Sequence, residues 1–294
     1  MLSTPSFNTH VGTAAGTRIH YIEAGSGELV MLIHGSLCDY RYWRWQMEAF
    51  SLAFHVVAPS LPGCWPEAVR CSAQSDGARD GIIPELATAA LQTDTRFSME
   101  QHVQSVVDLC RQLSPDRPVH LVGHSRGAQV ALEAALAMPG RVGRLVLADP
   151  GFPFADEATL PPMHAQIAAR LGTAPLDDVI AEFIDAVNGP GTWRRTVSWF
   201  KDMVRANAWT LTPQLKDIHR SVDARALSGA LSGRVLLVGG EFSPPRYGSR
   251  IDRLGEALPQ ARRVVISRAA HGMNLANARH FNDAVLHFLS DAAS

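Results

Sequence analysis

The stretch that decides the fold is Val119-His120-Leu121-Val122-Gly123-His124-Ser125-Arg126-Gly127-Ala128-Gln129-Val130-Ala131-Leu132. It opens as a short apolar run and stops at Gly123. Beyond the serine it continues in residues that favour a helix. Only a sharp strand-to-helix turn joins the two halves, and such a turn crowds the backbone around its central residue. The positions two before and two after it must then be very small; here they are Gly123 and Gly127. A serine at that apex is exposed and rigidly held. It also faces the N–H groups of a helix start, which favour developing negative charge. Ser125 is therefore the candidate nucleophile. A bare Gly-x-Ser-x-Gly is a weak signal, and its weight comes from the strand before it and the helix after it.

Outward from this point the chain alternates. Apolar runs at 29–33, 55–58, 145–148 and 235–238 each end near Gly, Pro or Asp, and a further run follows at 263–266. Short runs that are apolar on both faces read as strands covered on both sides. Residues 18–22 alternate and end at Gly25-Ser26-Gly27, a strand and tight turn. Helical spacing of apolar residues runs over 40–50, 99–113, 128–137, 250–258 and 278–289. The alternation predicts an α/β protein with a doubly wound, mostly parallel sheet. Two stretches interrupt it. Residues 65–97, with Pro66, Gly77, Gly81 and Pro84, read as an irregular excursion holding a short helix at 85–91. Residues 151–228 carry helical patches at 163–171, 176–187 and 192–207 and read as an inserted helical lid, which would shape the pocket and exclude water. The expected organisation is a core of 1–150 and 229–294 with a lid of 151–228.

Composition narrows the function classes. With 27 Lys and Arg against 28 Asp and Glu, the net charge is -1 and no like-charged run stands out. Nothing favours nucleic acid or an anionic membrane surface. No run of about 18 apolar residues spans a bilayer, and the first ten residues lack a signal-peptide pattern, so the default location is cytoplasmic. Cys38, Cys64, Cys71 and Cys110 lack metal-ligand spacing and read as free or buried thiols. No cofactor and no metal is expected. The implied partner is a small-molecule substrate, and a homodimer is compatible with the chain.

Acyl transfer through a serine needs donors for the oxyanion and a base for the hydroxyl proton. One donor is the N–H of Arg126, and the other is expected at Ser36, in the His34-Gly35-Ser36-Leu37 loop after an early strand. Among twelve histidines, His271 in Ala270-His271-Gly272-Met273 follows the last strand and precedes the final helix. With these motifs, residues 17–290 resemble the α/β-hydrolase superfamily, in its lid-bearing branch of esterases, carbon–carbon hydrolases, epoxide hydrolases, dehalogenases and cofactor-free dioxygenases. The resemblance implies a Ser-His-acid triad with His271 as base. It also implies packing roles for His34 and His124. A serine nucleophile argues against the epoxide hydrolase and dehalogenase branches, which use aspartate.

The acid stays open between two residues. Where the resemblance implies an aspartate, after the next-to-last strand, Gly239-Gly240-Glu241-Phe242-Ser243 places Ser243. Asp149, at the end of the strand after the elbow, is the leading substitute, as in some branches of the superfamily. Glu241 is the alternative. Strand ends on one sheet edge share a crevice, so both are geometrically reasonable. The pocket is expected to include Leu37, Trp43, His124, Phe152 and Met273. Arg126 either binds a substrate carboxylate or pairs with the lid. Trp65, Trp193, Trp199, Phe200 and Trp209 suit an apolar or aromatic substrate, or an ordinary core. The leading function is hydrolysis of an ester, lactone or related acyl bond. Carbon–carbon bond hydrolysis, cofactor-free dioxygenation with a His-Asp base, and a non-catalytic receptor are the alternatives.

Overall fold

In a computed structural model the described residues are 7–67, 97–155, 163–217, 220–223, 227, 231 and 234–291. The helix expected at 85–91, Cys71 and most of the 65–97 excursion lie outside them. Eight strands form one sheet: β1 (Asn8–Ala14), β2 (Thr17–Ala24), β3 (Leu29–Ile33), β4 (His55–Ser60), β5 (Val119–His124), β6 (Val142–Ala148), β7 (Val235–Gly240) and β8 (Arg262–Ile266). Their spatial order is β1-β2-β4-β3-β5-β6-β7-β8. β1 and β2 pair antiparallel, as do β2 and β4, and every other neighbouring pair is parallel.

The apolar runs explain the sheet. Every residue of β3 and β5 is buried. Alternate side chains then serve two cores. Val30, Leu32, Val122, Val146 and Val238 join one apolar cluster, while Met31, Ile33, Leu121, Leu147 and Leu237 join the other. That division is the period-two geometry of a strand covered on both faces. The helices Met99–Leu113 and Arg126–Ala137 contribute to the second cluster, and Arg44–Phe50 and Ala278–Ser290 to the first.

Between β6 and β7 the described chain is helical, with Met163–Ala168, Leu176–Asn188, Thr192–Arg195, Ser198–Asn207 and Leu211–Gln214, then a 3₁₀ turn at Leu215–Asp217. Val179, Ile180, Phe183, Met203 and Leu211 of this segment join the first cluster. The helical pattern read across 192–207 is two helices, because Thr196 and Val197 are extended. The run at 40–50 is likewise divided: a 3₁₀ turn at Tyr40–Trp43 precedes the α-helix. Among the described residues no helix is long and apolar enough to cross a membrane.

Candidate active site

The parallel strands bring four loop ends to one edge of the sheet. These are the loops after β3, β5, β6 and β8, and they carry Ser36, Ser125, Asp149 and His271. A crevice at the carboxyl ends of parallel strands is where such folds place ligands. Here it is a cavity of about 310 Å³ whose wall includes Ser36, Ser125, Arg126 and His271.

Ser125 sits at the turn between β5 and the helix Arg126–Ala137, with φ 55° and ψ −119°. For a residue with a side chain that backbone is strained, at a cost of roughly 1–3 kcal/mol. Neighbours enforce it. The Ser125 N–H donates to the Ala148 carbonyl at 2.9 Å, and its carbonyl accepts from Gly151 at 3.0 Å. A Cβ on Gly123 would lie 2.3 Å from the Gly127 carbonyl oxygen, and one on Gly127 would lie 2.3 Å from that of Ile33. The two glycines are thus required by close backbone approach rather than by their own torsions. As the first helical residue, Arg126 has an N–H with no partner inside its helix. Gly35 packs on the serine, since a Cβ there would lie 3.0 Å from the Ser125 Cβ. Next to it, the His34 Nε2 accepts the Leu61 N–H at 3.0 Å, so its Nδ1–H donates to the Gly35 carbonyl at 2.9 Å. Burial lowers the His34 pKa to about 4, which keeps that acceptor available.

The His271 Nδ1 lies 3.0 Å from the Asp149 Oδ2. Asp149 is fully buried and holds a positive φ of 39° before Pro150. Its N–H donates to the Val238 carbonyl at 2.8 Å, which pins β6 against β7 at this point. Ser243 stands where the resemblance implies an acid, and its hydroxyl donates to the same Asp149 oxygen at 2.5 Å. Burial raises the Asp149 pKa to about 6, opposed first by that hydroxyl. Glu241 is elsewhere. It is exposed and accepts the backbone N–H of Arg268 at 2.7 Å, closing the β8 loop where Arg268 has a φ of 55°. Of the two candidate acids, the structure brings Asp149 to the histidine and leaves Glu241 at the surface.

His271 lies between two rings. Tyr247 stacks on it at 4.1 Å and 17°, and His124 lies 4.5 Å away on a tilt of 44°. The His124 Nε2 bonds the His271 carbonyl at 2.7 Å, so this ring fixes the loop while it lines the cavity. From the helical segment, Asn188 accepts the Gly272 N–H at 2.9 Å. Burial lowers the His271 pKa, and the charges of Arg246 and Arg250 lower it further. A neutral imidazole is the form that accepts a proton.

Of the five side chains expected in the pocket, only His124 reaches the cavity wall. Leu37, Trp43 and Met273 are buried in the first apolar cluster. Phe152 is buried in the second, against Phe154. The 3₁₀ turn explains Trp43. It sends Tyr42 to the cavity and Trp43 inward, 6.4 Å from the Phe281 ring. Leu37 takes a positive φ of 60° within the core. Phe200 is the one member of the aromatic set at 65, 193, 199, 200 and 209 that lines the cavity. Arg126 pairs with the helical segment: its Nη2 reaches the Asp217 Oδ2 at 2.6 Å and its Nη1 meets the His102 Nδ1 at 2.9 Å. Burial opposes the Arg126 charge and Asp217 supports it. No sequence motif marks Arg246, Tyr247 or Asn188. Among the described residues no three His, Cys, Asp or Glu side chains gather as a metal site. Cys38, Cys64 and Cys110 are free and buried.

Known proteins resemble this chain at several levels. The profile described as "Alpha/beta hydrolase family" matches residues 30–284. Mouse (Mus musculus) epoxide hydrolase 3 is 27% identical over 138 residues, 46% of this chain and 32% of that protein. The (E)-2-((N-methylformamido)methylene)succinate hydrolase of Acinetobacter baylyi is 28% identical over 128 residues, 44% of this chain and 40% of the relative. The matched region is thus less than half the length of these curated relatives. Among solved structures, a thermophilic esterase from Thermogutta terrifontis superposes with a TM-score of 0.70 at 22% identity, covering 96% of this chain and 98% of that one. A meta-cleavage product hydrolase from Pseudomonas fluorescens superposes with a TM-score of 0.70 at 21% identity, covering 96% and 99%. These superpositions establish the fold. With the family profile matched across most of its length, the chain belongs to the alpha/beta hydrolase family.

Proposed function

We propose that the protein is a serine hydrolase that cleaves an ester, lactone or related acyl bond of a small substrate through an acyl-enzyme. The observation that carries this reading is one arrangement. A serine strained onto a strand-to-helix turn shares a cavity with a histidine whose far nitrogen meets a buried carboxylate at 3.0 Å.

In the proposed cycle the Ser125 Oγ bonds to the substrate carbonyl carbon and its proton passes to the His271 Nε2. The carbonyl oxygen becomes an oxyanion, held by the N–H groups of Arg126 and Ser36. Asp149 orients the ring through Nδ1 and stabilises the imidazolium. His271 then protonates the leaving oxygen as the carbon–oxygen bond breaks. Water attacks the acyl-enzyme with His271 again as base, and the bond to Ser125 Oγ breaks. The helices between β6 and β7 act as the lid, since Phe183, Ile184 and Phe200 supply an apolar wall. A serine nucleophile separates this reading from epoxide opening. Carbon–carbon bond hydrolysis is the runner-up on the same residues.

A fluorophosphonate probe and p-nitrophenyl acetate test the proposal. Wild type should label at Ser125 and turn the ester over, and Ser125→Ala should do neither. Absence of both labelling and turnover in wild type sinks the acyl-enzyme. Oxygen uptake with a hydroxyquinolone in its place moves the assignment to oxygenation.

A further inference from the structure

The largely apolar cavity wall carries three arginines. Arg246 and Arg250 stand one turn apart on the helix Pro245–Ala257, and both line it, together with Arg126. Residues at i and i+4 share a helix face. Arg250 is 4% exposed, with its Nη1 3.5 Å from the carbonyl of Pro150, beside Asp149. Arg246 is half-buried. Its Nη2 donates to the Ala186 carbonyl at 3.0 Å, and its guanidinium lies 4.8 Å from the centre of the Tyr247 ring. That ring is the one stacked on His271. Asp217 is the acid on the wall among the described residues, and it is engaged by Arg126. Asp149 lies behind His271, fully buried.

The field of these groups is felt by their neighbours. His164, also on the wall, is lowered to about 4 by burial and then by Arg246 and Arg250. Like charges at the end of an apolar pocket concentrate anions there. A guanidinium also offers a planar fork that fits a carboxylate and holds its charge at every working pH. Arg246 is a stacked, partly solvated fork one layer from the base.

We propose that the substrate carries a free carboxylate besides its scissile acyl bond, and that Arg246 is the residue that recognises it, with Arg250 adding to the attraction. The substrate class is then a half-ester or lactone of a dicarboxylic acid. This deepens the serine hydrolase reading, and its turnover arm rests on it.

The test compares monomethyl glutarate, an anion at pH 7.5, with neutral dimethyl glutarate. Wild type should favour the anion in kcat/KM by roughly tenfold to a hundredfold, the range of one charge-assisted contact. Arg246→Gln should collapse that ratio, and Arg246→Lys should restore part of it, which a purely structural role of Arg246 would not produce. A wild type that prefers the diester, or a ratio untouched by Arg246→Gln, overturns the proposal while leaving the serine hydrolase reading standing. If neither ester turns over, the serine hydrolase reading is judged by fluorophosphonate labelling and p-nitrophenyl acetate turnover, and calorimetry decides this one. Glutarate should then bind Ser125→Ala, and adding Arg246→Gln should weaken that binding at least tenfold. No glutarate binding, or binding indifferent to Arg246→Gln, overturns it.

Discussion

Asp149 holds an unfavourable backbone, φ 39° ahead of a proline, so that its carboxylate can lie 3.0 Å from the His271 ring. A carboxamide there keeps the shape but removes the charge and favours the wrong tautomer, which costs roughly 10⁴-fold in kcat in comparable triads. Asp149→Asn should therefore lose about that much esterase activity, while Glu241→Gln should stay within about twofold, since Glu241 braces an exposed turn. The reverse pattern in steady-state rates would remove Asp149 from the mechanism. His271 supplies a pH prediction. The groups that face it are Asp149, His124, Tyr247, Arg246 and Arg250. Arg246 and Arg250 disfavour its protonated form. Removing one cation by Arg246→Gln raises the imidazole pKa, so the acid limb of kcat/KM should move to higher pH; a limb that stays put or moves lower would contradict the geometry. Ser125 and His271 were legible from sequence because each stands in a motif at a strand end. Asp149 and Glu241 stayed open because both follow strands of the same sheet edge. What separates them is the Asp149 turn and the Ser243 hydroxyl, neither of which leaves a pattern in the chain.

At the scale of elements, the helix Arg126–Ala137 is packed closely against the end of β3 and the loop after it. Gly127→Ala would place a methyl carbon 2.3 Å from the Ile33 carbonyl oxygen and 2.4 Å from that of His34. Both are backbone and cannot rotate aside, so the variant should lose more than about 3 kcal/mol in urea unfolding. Gly248→Ala is the counterpart. It lies within the helix Pro245–Ala257 with nothing within 4 Å of the added carbon, and it should gain about 0.4–1 kcal/mol. Equal midpoints for the two variants would mean that the close approach at Gly127 is relieved elsewhere. The strands that sequence reading placed best are the doubly buried ones, where continuous Val, Leu and Ile leave little ambiguity. β1 escaped it because it is an antiparallel edge strand on which only Ala14 is buried. The pocket wall escaped it for a different reason. Which side chain of Tyr42-Trp43 faces the cavity depends on a 3₁₀ turn, and periodicity cannot distinguish that turn from the first turn of an α-helix.

For the whole molecule, buried neutral histidines set the response to acid. His34 and His164 are lowered to about 4 and His124 to about 3, while His102, His120 and His271 are also lowered, each through burial first. The unfolded chain takes up these protons near the ordinary value of 6.5 and the folded chain does not. Stability is thus retained above about pH 6.5 and lost as the pH falls toward the folded values, by up to ~1.4 kcal/mol per unit for each group. Asp149, raised to about 6, and Glu133, also raised, act in the opposite direction within the same interval, as the pH falls through about 6 toward the ordinary carboxylate range, but they are fewer. The melting temperature should fall by several degrees between pH 7.5 and pH 5, at about 2–4 °C per kcal/mol; an equal or higher value at pH 5 would show that the histidines are charged in the fold. Modularity is a separate matter, governed by the Arg126–Asp217 pair. Arg126 brings the first N–H of the helix Arg126–Ala137, and its side chain ends on the 3₁₀ turn at Leu215–Asp217. The segment before β7 is therefore not an interchangeable cassette. A foreign helical insert grafted between β6 and β7 must bring its own anion to this spot, or arrive with an uncharged residue at 126, because a buried guanidinium stripped of its partner is costlier than either.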